Sequence, residues 1–413
     1  MLNKNNQREL AYVVTIDEVR PIAGKDRVEC AVVGGWTCMV PKGAFEAGSA
    51  GIYFEIDSKL PEEERFAFTS RYSYKIKTQK FKTPEGPFYS QGLLMSPKDF
   101  GWETQIEPLN GVRTEIIIDN KGKAHYPNDE SRFLTAALGV SYAEAGDNQR
   151  KAASADKYKK MAQRHGKLFA KQPFRWLMKR NWGKKFLFIF FGRKKDKKTW
   201  PIWVKKTDEE RVENMPFILN NKDPWIATEK VDGTSTTFTM KRKPFDKFDF
   251  YVCSRNVVFD KPDKQCFYDT NVYLEMANKY NIKDKMKTMM KTAFSDCEWI
   301  TIQGETYGPG IQKNDYHASE HALMAFNFID SKRGRWNSIT MKKLLEGSFG
   351  IPCVPILDEN FVLPDTIEEL RDYVNSQPSI LDGSIKEGIV FRSQDGIQSF
   401  KCVSPEYLMK YHS

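Results

Sequence analysis

The chain has 413 residues, of which 40% are hydrophobic and 29% charged, so it is long enough for two or three globular domains with sizeable cores. Its longest continuous apolar segment, residues 186–191, is far shorter than the roughly 18 residues that a membrane-spanning helix needs. The amino-terminal residues also lack the apolar region of a secretory signal. These features exclude an integral membrane protein and argue against secretion.

The cysteine and histidine content argues against a disulfide framework and a zinc site. The seven cysteines are an odd number, scattered along the chain without a C-x-x-C pair. None of the five histidines lies at zinc-ligand spacing from cysteines. We therefore expect the protein in the cytoplasm or in another reducing compartment.

The first predicted domain spans residues 1–98 and is all-β. Short apolar runs, including AYVVTI, RVECAVV, WTCMV and GIYFEI, recur at close spacing and are separated by Gly, Pro and Asp. About five short strands in this length favour a small barrel. The block from IAGKDRVECAVV to GIYFEIDSKLP resembles the N-terminal OB-type domain of one branch of RNA ligases, and such barrels bind oligonucleotides on an open face. A purely structural barrel is the alternative.

Residues 99–200 are predicted to form a connector. Its first part is rich in turns, with a helix predicted over residues 131–145. Residues 150–206 hold 20 Lys and Arg against two acids, which leaves 44 basic and 52 acidic residues in the rest of the chain. Aromatic residues such as Trp176 and Trp182 are interleaved with the basic ones, a pattern that favours a polyanion with stackable bases. A solvated basic helix with a linker, or an interfacial membrane segment around residues 174–191, are the alternatives.

Residues 201–413 are predicted to form an α+β domain. The segments WIATEKVDGTSTTFTM, FDFYVCSRNVVF, WITIQGETYG, ALMAFNFID and KEGIVFRS have the composition of strands, and residues 274–294 have helical periodicity. The predicted fold class is therefore α+β, with a small N-terminal β-barrel, a basic connector and a C-terminal domain.

A K-x-D-G pattern, formed by Lys230, Asp232 and Gly233, lies at the end of a predicted strand. Alone it is a weak signal, because such a pattern arises by chance in a lysine-rich chain. Its weight comes from the residues that follow in order, which are Arg255 in VCSRN, Glu305 in GETYG, Phe326 in LMAFNF, Glu387 in KEGIVFR and Lys401 in SFKCV. Each could be a surface charge, an ion-pair partner or a core ring, but all of them in this order are much harder to explain as coincidence.

These segments resemble motifs I, Ia, III, IIIa, IV and V of the covalent nucleotidyltransferases, and most closely the RNA ligase 2-like, nick-sealing ATP-dependent RNA ligases. The loop GETYGPGIQKN, and KTDEERVEN upstream of the K-x-D-G, are similar to the branch with an N-terminal OB domain. The resemblance covers about residues 1–98 and 200–413. It implies that residues 201–413 form a nucleotidyltransferase domain, with ATP-grasp-like antiparallel sheets and helices.

The resemblance also implies catalytic roles. Lys230 would attack the α-phosphorus of ATP, Lys401 would neutralise the α-phosphate, and Asp232, Glu387 and Glu305 would hold Mg²⁺ or Mn²⁺ largely through water. The attack needs a neutral amine, whereas a free lysine has a pKa of roughly 10.4. We therefore expect positive neighbours and the cation to lower the pKa of Lys230.

The remaining implied residues bind ATP or AMP. Glu305 would hold the ribose, Phe326 would stack on adenine, and Arg255 would lie beside the ribose and the incoming phosphate end. Glu229 and Arg211 are the other candidates, the latter for a phosphate contact. Two positions depart from the family pattern: Val403 replaces a second lysine, and Glu213 stands where glutamine is expected.

The sequence thus predicts an ATP-dependent RNA ligase that joins 3′-OH and 5′-phosphate ends through lysyl-AMP and an adenylylated 5′ end. By analogy, the substrate is a nick with RNA on the 3′-OH side, and the purpose is RNA repair. One alternative is a non-catalytic nucleic-acid-binding protein with a decayed transferase domain. Another is a DNA ligase or capping enzyme, although only 12 residues follow Lys401, too few for the further OB domain expected there. We expect a monomer with no membrane partner.

Overall fold

The structure is a computed structural model that describes residues 1–5, 7–102, 114–142, 171–178, 180, 182, 186–187, 200–205, 208–259, 266, 268 and 270–411. Most of the basic segment predicted over residues 150–206 lies outside these residues. Its predicted role in binding a polyanion therefore stays a prediction.

The N-terminal unit is made of short strands. In chain order they are β1 (Ala11–Thr15), β2 (Glu18–Ile22), β3 (Lys25–Val33), β4 (Trp36–Pro41), β5 (Ala50–Phe54), β6 (Ser58–Lys59), β7 (Gln79–Thr83), β8 (Gly86–Ser90), β9 (Leu93–Met95), β10 (Ile117–Ile118), β11 (Ala124–His125) and β12 (Ser141–Tyr142). Two antiparallel three-stranded sheets, β1-β5-β9 and β2-β3-β4, form its centre. The all-β prediction for this region is confirmed, with more strands than the five expected.

Strand β1 lies between two hydrophobic cores, which explains its unbroken apolar sequence. Ala11 and Val13 pack into one core, while Tyr12 and Val14 pack into the other. Successive side chains of a strand point to opposite faces, so one run of apolar residues serves both cores.

Residues beyond the predicted boundary at residue 98 pack into the first of these cores. Its members include Trp102, Ile118 and Leu134. The helix predicted over residues 131–145 is wrong: a 3₁₀ turn occupies Asp129–Arg132, β12 follows, and residues 143–145 lie outside the described chain. The apolar residues of this segment cover β1 through a turn instead, with the Leu134 amide bonded to the Ala11 carbonyl. We propose that the first unit extends to at least Tyr142.

The C-terminal unit contains two larger sheets. Its strands are β13 (Glu210–Arg211), β14 (Trp225–Lys230), β15 (Thr234–Lys243), β16 (Lys247–Cys253), β17 (Val258–Phe259), β18 (Trp299–Tyr307), β19 (Ala322–Asp330), β20 (Gly334–Arg335), β21 (Ile356–Phe361), β22 (Gly388–Ser393) and β23 (Ser399–Val403). One sheet has the order β13-β23-β22-β14-β21 and the other β17-β16-β15-β18-β19-β20. All pairs are antiparallel except β13 with β23. The strands predicted for this unit are confirmed.

The α-helices of the described residues are short. They are α1 (Phe174–Met178), α2 (Val272–Lys279), α3 (Ile282–Lys291), α4 (Ser338–Lys342), α5 (Ile367–Ser376) and α6 (Pro405–Tyr411). The single helix predicted over residues 274–294 is two helices, because Asn281 adopts a left-handed conformation with φ 49°. Methionines of α2 and α3, such as Met276 and Met289, pack against the six-stranded sheet. Within the described chain, no helix has the length and apolar character needed to cross a membrane.

The two units share a closely packed boundary. The Gly35 amide donates to the Glu213 carbonyl over 2.7 Å, and the Trp36 indole donates to Asn214 over 2.7 Å. A Cβ at Gly35 would lie 2.7 Å from the Cα of Glu213, so only glycine allows this approach. Val403 and Leu408 of the second unit complete a core of the first. These contacts bring the N-terminal unit to the edge of the five-stranded sheet.

Candidate active site

Lys230 is the last residue of β14 and pairs in register with Gly388 at the start of β22. The preceding residue, Glu387, therefore reaches it directly: its Oε1 lies 2.5 Å from Lys230 Nζ. The chain then turns at Gly233, where a Cβ would lie only 2.4 Å from the Thr306 carbonyl oxygen. Glycine at this position lets the K-x-D-G loop pack closely against β18.

The charges of three carboxylates act on the Lys230 ammonium. Burial opposes its charge, but Glu387, Asp232 and Glu305 outweigh burial and raise the pKa of Lys230. Glu305 lies on β18, opposite Ser235 of β15. Its burial, together with the charges of Asp232 and Glu387, raises its pKa to about 8 despite Lys230. The expected lowering of the Lys230 pKa is thus reversed here, because its strongest charged neighbours in the protein are acids.

The residues around Lys230 fit a hydrated divalent cation. Carboxylate oxygens are the ligands that Mg²⁺ prefers, and it retains several of its waters in proteins. Within the described ranges, no group of three His, Cys, Asp or Glu side chains is close enough to hold an ion directly. Asp232, Glu305 and Glu387 nevertheless all act on one lysine. That the metal is held largely through water stays a prediction.

A second group of charges is centred on Asp208. Its Oδ1 accepts a hydrogen bond of 2.5 Å from Lys401 Nζ, and its Oδ2 accepts one of 3.0 Å from Arg255 Nη2. Burial would raise the pKa of Asp208, but Lys401, Arg8 and Arg255 hold it far below its usual range. Burial also lowers the pKa of Lys401, although Asp208 opposes this. Sequence analysis gave Asp208 no role, although it lies in the KTDEER segment that carried part of the resemblance.

Arg211 of β13 pairs in register with Lys401 of the parallel strand β23. It is 4% exposed, and its Nη2 lies 3.6 Å from Asp57 Oδ2 of the N-terminal unit. The guanidinium also stands 5.6 Å from the Trp36 ring centre. Arg211 therefore contacts the first unit, and its phosphate contact stays a proposal.

Tyr407 of α6 orients the K-x-D-G loop. Its hydroxyl lies 3.0 Å from Oδ2 of Asp232 and 3.0 Å from Oδ2 of Asp315. The Asp232 amide donates to the Tyr316 hydroxyl over 2.9 Å. Sequence analysis gave no role to Tyr407, Tyr316 or Asp315, the other members of this network. Asp315 and Tyr316 follow the loop GETYGPGIQKN that it singled out, whereas no pattern marked Tyr407.

Glu229 and Phe326 have different surroundings. The Glu229 carboxylate faces away from Lys230, since neighbouring strand residues alternate, and accepts bonds from Ser379 Oγ (2.5 Å) and the Ile380 amide (2.9 Å). Burial raises its pKa. The half-buried Phe326 ring packs in a cluster with Val231, beside Lys230. The structure thus brings Lys230, Asp232, Glu305, Glu387 and Lys401 together, with Phe326 adjacent, while the Glu229 carboxylate fixes a neighbouring loop.

Family models match part of each unit. Residues 223–412 match the family model for RNA ligases, and residues 10–95 match a model for an OB-fold domain. The RNA ligase match includes all the predicted site residues except Arg211.

Solved structures of one RNA ligase have the same architecture. The Naegleria gruberi RNA ligase with PPi is 25% identical, with a TM-score of 0.68 over 98% of this chain and 99% of that chain. A variant of that ligase with AMP and Mn gives 25% identity and a TM-score of 0.68 over the same shares. A variant with ATP and Mn gives 25% identity and a TM-score of 0.67, again over 98% and 99%. No curated protein sequence matches this chain significantly.

Proposed function

We propose that this chain seals nicks in RNA with ATP through a covalent lysyl-AMP intermediate. The support is the match of residues 223–412 to an RNA ligase model, behind a match of residues 10–95 to an OB-fold model, and the likeness to a solved RNA ligase. The observation that carries this proposal is the position of Lys230, at a strand end among three carboxylates, with Lys401 acting on it from β23. A lysine nucleophile beside acids and a second cation suits phosphoryl chemistry, which depends on positioning and electrostatics.

In the first step, Lys230 Nζ attacks the α-phosphorus of ATP. A P–N bond forms, the bond to the β-phosphate oxygen breaks, and pyrophosphate leaves. Lys401 stabilises the charge on the α-phosphate, and Phe326 stacks on the adenine. Asp232, Glu305 and Glu387 would hold the Mg²⁺ or Mn²⁺, whose charge opposes theirs and so favours the neutral amine of Lys230.

Two further transfers complete the reaction. An oxygen of a 5′-phosphate attacks the phosphorus of lysyl-AMP, so the P–N bond breaks and a 5′-to-5′ pyrophosphate forms. The 3′-OH then attacks the phosphorus of the 5′-phosphate and AMP leaves. We assign the contact with the incoming phosphate end to Arg255, which is half-exposed and bonded to Asp208.

We also propose that the substrate is a nicked duplex with RNA on the 3′-OH side and that the role is RNA repair. The support is the resemblance to nick-sealing ligases and the likeness to a solved RNA ligase over nearly the whole chain. One site per chain requires no second copy, so we propose a monomer, acting in the cytoplasm.

A sealing assay tests this proposal. Nicked duplexes with RNA or DNA on each side of the nick are incubated with ATP and either metal, using wild type, Lys230→Ala and the exposed-site control Lys283→Ala. We expect sealing where RNA supplies the 3′-OH, and none with Lys230→Ala. Equal sealing of DNA nicks would favour a DNA ligase. Transfer of GMP from GTP to the ends of RNA would favour a capping enzyme. Binding without sealing, with both metals, would favour the non-catalytic alternative.

A further inference from the structure

Three lysines from the two units lie near helix α6 at the boundary, where Lys80 of β7 reaches Glu406 and Lys313 reaches the Tyr411 carbonyl. Lys75 and Lys77 lie on the segment leading into β7, and Lys313 lies in the loop between β18 and β19. Partial burial lowers the pKa of Lys77, and the ammonium groups of Lys75 and Lys313 lower it further. Within the described part of the chain, none of the three forms an ion pair with an acid. We call Lys75, Lys77 and Lys313 the seam lysines.

Two acids close to this boundary, Glu406 and Asp315, are already engaged. Glu406 of α6 lies 3.8 Å from Lys80 Nζ and accepts a 3.4 Å bond from the Tyr89 hydroxyl. Asp315 shares the Tyr407 hydroxyl with Asp232. Like charges at short range repel, so the seam lysines raise the free energy of the folded protein unless an anion binds among them.

The seam lysines lie beside the reaction centre. Lys313 Nζ bonds the Tyr411 carbonyl at the end of α6. Its neighbour in the chain, Gln312, donates a 3.2 Å hydrogen bond to the carbonyl of Gly233 in the K-x-D-G loop. An anion bound at Lys313 would therefore lie next to the loop that carries Lys230 and Asp232.

Exposed aromatic rings lie on the 3₁₀ helix that precedes Lys75 in the chain. Tyr72 and Phe68 are 38% and 56% exposed on the 3₁₀ helix Glu64–Tyr72, and the Lys75 amide bonds the Tyr72 carbonyl over 3.1 Å. The Arg71 guanidinium stands 4.7 Å from the Tyr72 ring centre. A surface that binds a single nucleic acid strand typically combines lysines, which contact the phosphates, with aromatic rings, which stack on the bases.

We propose that the seam lysines bind successive phosphates of the RNA strand that enters the active site, with Tyr72 available to stack on a base. This inference rests on the proposed ligase function and adds a path for the polynucleotide across both units. Lys313 is exposed and Lys75 and Lys77 are partly exposed, as contact with an extended strand requires. The triphosphate of ATP is a poorer occupant, because the buried Lys401 and the neighbouring Arg255 already offer cations beside Lys230.

The test is RNA binding by a triple variant, Lys75→Ala, Lys77→Ala and Lys313→Ala. Its affinity for a nicked RNA duplex is measured over a range of salt concentrations, without ATP or metal. We expect a loss of about 10- to 30-fold at low salt. We also expect the slope of log affinity against log salt to fall by about two to three, since each phosphate contact contributes roughly 0.7–0.9. The single variant Lys77→Gln is expected to reduce the slope by about one.

A matched control removes the same charge elsewhere. Lys283, Lys287 and Lys291 are exposed on α3, and their replacement by Ala is expected to change the affinity and slope by less than half as much. Thermal unfolding checks that both triple variants fold. If the seam and control variants bind RNA alike, the inference is wrong. It is also wrong if the seam variant raises the KM for ATP in lysyl-AMP formation while RNA binding is unchanged. The binding assay needs no adenylylation. An unchanged RNA affinity of the seam variant would therefore contradict this inference without contradicting the proposed ligase activity.

Discussion

Lys401 Nζ lies 2.5 Å from Asp208 Oδ1, so a lysine on β23 is held by an acid from the segment before β13. The other oxygen of the same carboxylate accepts a bond from Arg255. One side chain therefore sets the positions of the two cations that we assign to the phosphates. Lys401 is 7% exposed, so its ammonium depends on Asp208 rather than on water for charge compensation.

Asp208→Asn should lower the rate of lysyl-AMP formation about tenfold, equivalent to about 1.4 kcal/mol, because the amide holds Lys401 and Arg255 more weakly. Single-turnover measurements at saturating ATP report this rate. The control is Asp284→Asn, on the exposed face of α3. A faster reaction in the Asp208 variant would mean that Asp208 withholds Lys401 from the phosphate.

The raised pKa of Glu305 makes the stability of the metal-free protein depend on pH. Below about pH 4.5 its carboxyl is protonated in both the folded and unfolded states. Between about pH 4.5 and about pH 8 the Glu305 carboxyl is ionised mainly in the unfolded state, so a rise in pH favours unfolding. Above about pH 8 both states are ionised, and this dependence ends.

Glu305→Gln removes that dependence. The melting temperature of the variant, measured by calorimetry in chelator, should therefore exceed that of wild type by more at pH 8 than at pH 5. A constant difference between the two proteins over this range would show that the Glu305 carboxyl has an ordinary pKa. Added Mg²⁺ should stabilise wild type more than the variant, because a cation favours the ionised carboxylate.

Tyr407→Phe should destabilise the protein by about 1–3 kcal/mol, because the hydroxyl shared by Asp232 and Asp315 is lost while the buried ring is kept. Denaturant unfolding gives the change in free energy. Tyr411→Phe is the control, since its ring packs 4.7 Å from that of Tyr407 without touching the loop. Equal stability of the two variants would remove Tyr407 from this network.

The boundary between the units contains a buried ion pair. Arg371 Nη2 donates to Glu213 Oε1 over 3.0 Å and to the Gly35 carbonyl over 3.1 Å. Arg371→Ala should cost about 3–5 kcal/mol, because the Glu213 charge stays buried without its partner. Glu213→Gln should cost less, since its amide oxygen can still accept. Denaturant unfolding of both variants checks this order, and the reverse order would contradict it.

The resemblance to known ligases, carried by short motifs in or beside strands, marked Lys230, Glu305 and Glu387, and their charges act on one another in the structure. Asp208 and Tyr407 received no role, because they act through contacts between segments 193 and 175 residues apart.

The errors in the predicted fold have local causes. The break between α2 and α3 depends on the left-handed conformation of Asn281, which helical periodicity does not detect. Residues 131–138 have helical composition, but Leu134 is used to cover β1. Tertiary packing overrides a weak local propensity in such short segments. The departure at Glu213 also has a structural reason that only the fold reveals, its pairing with Arg371.

The most direct test of the central claim is the adduct on Lys230. Wild type and Lys230→Ala are incubated with α-phosphate-labelled ATP and Mg²⁺ or Mn²⁺, without RNA, and separated on a denaturing gel. The account predicts a label on wild type that pyrophosphate removes, and none on the variant. Absence of label with both metals, on folded protein shown to carry no AMP beforehand, would contradict it, as would equal labelling of the variant.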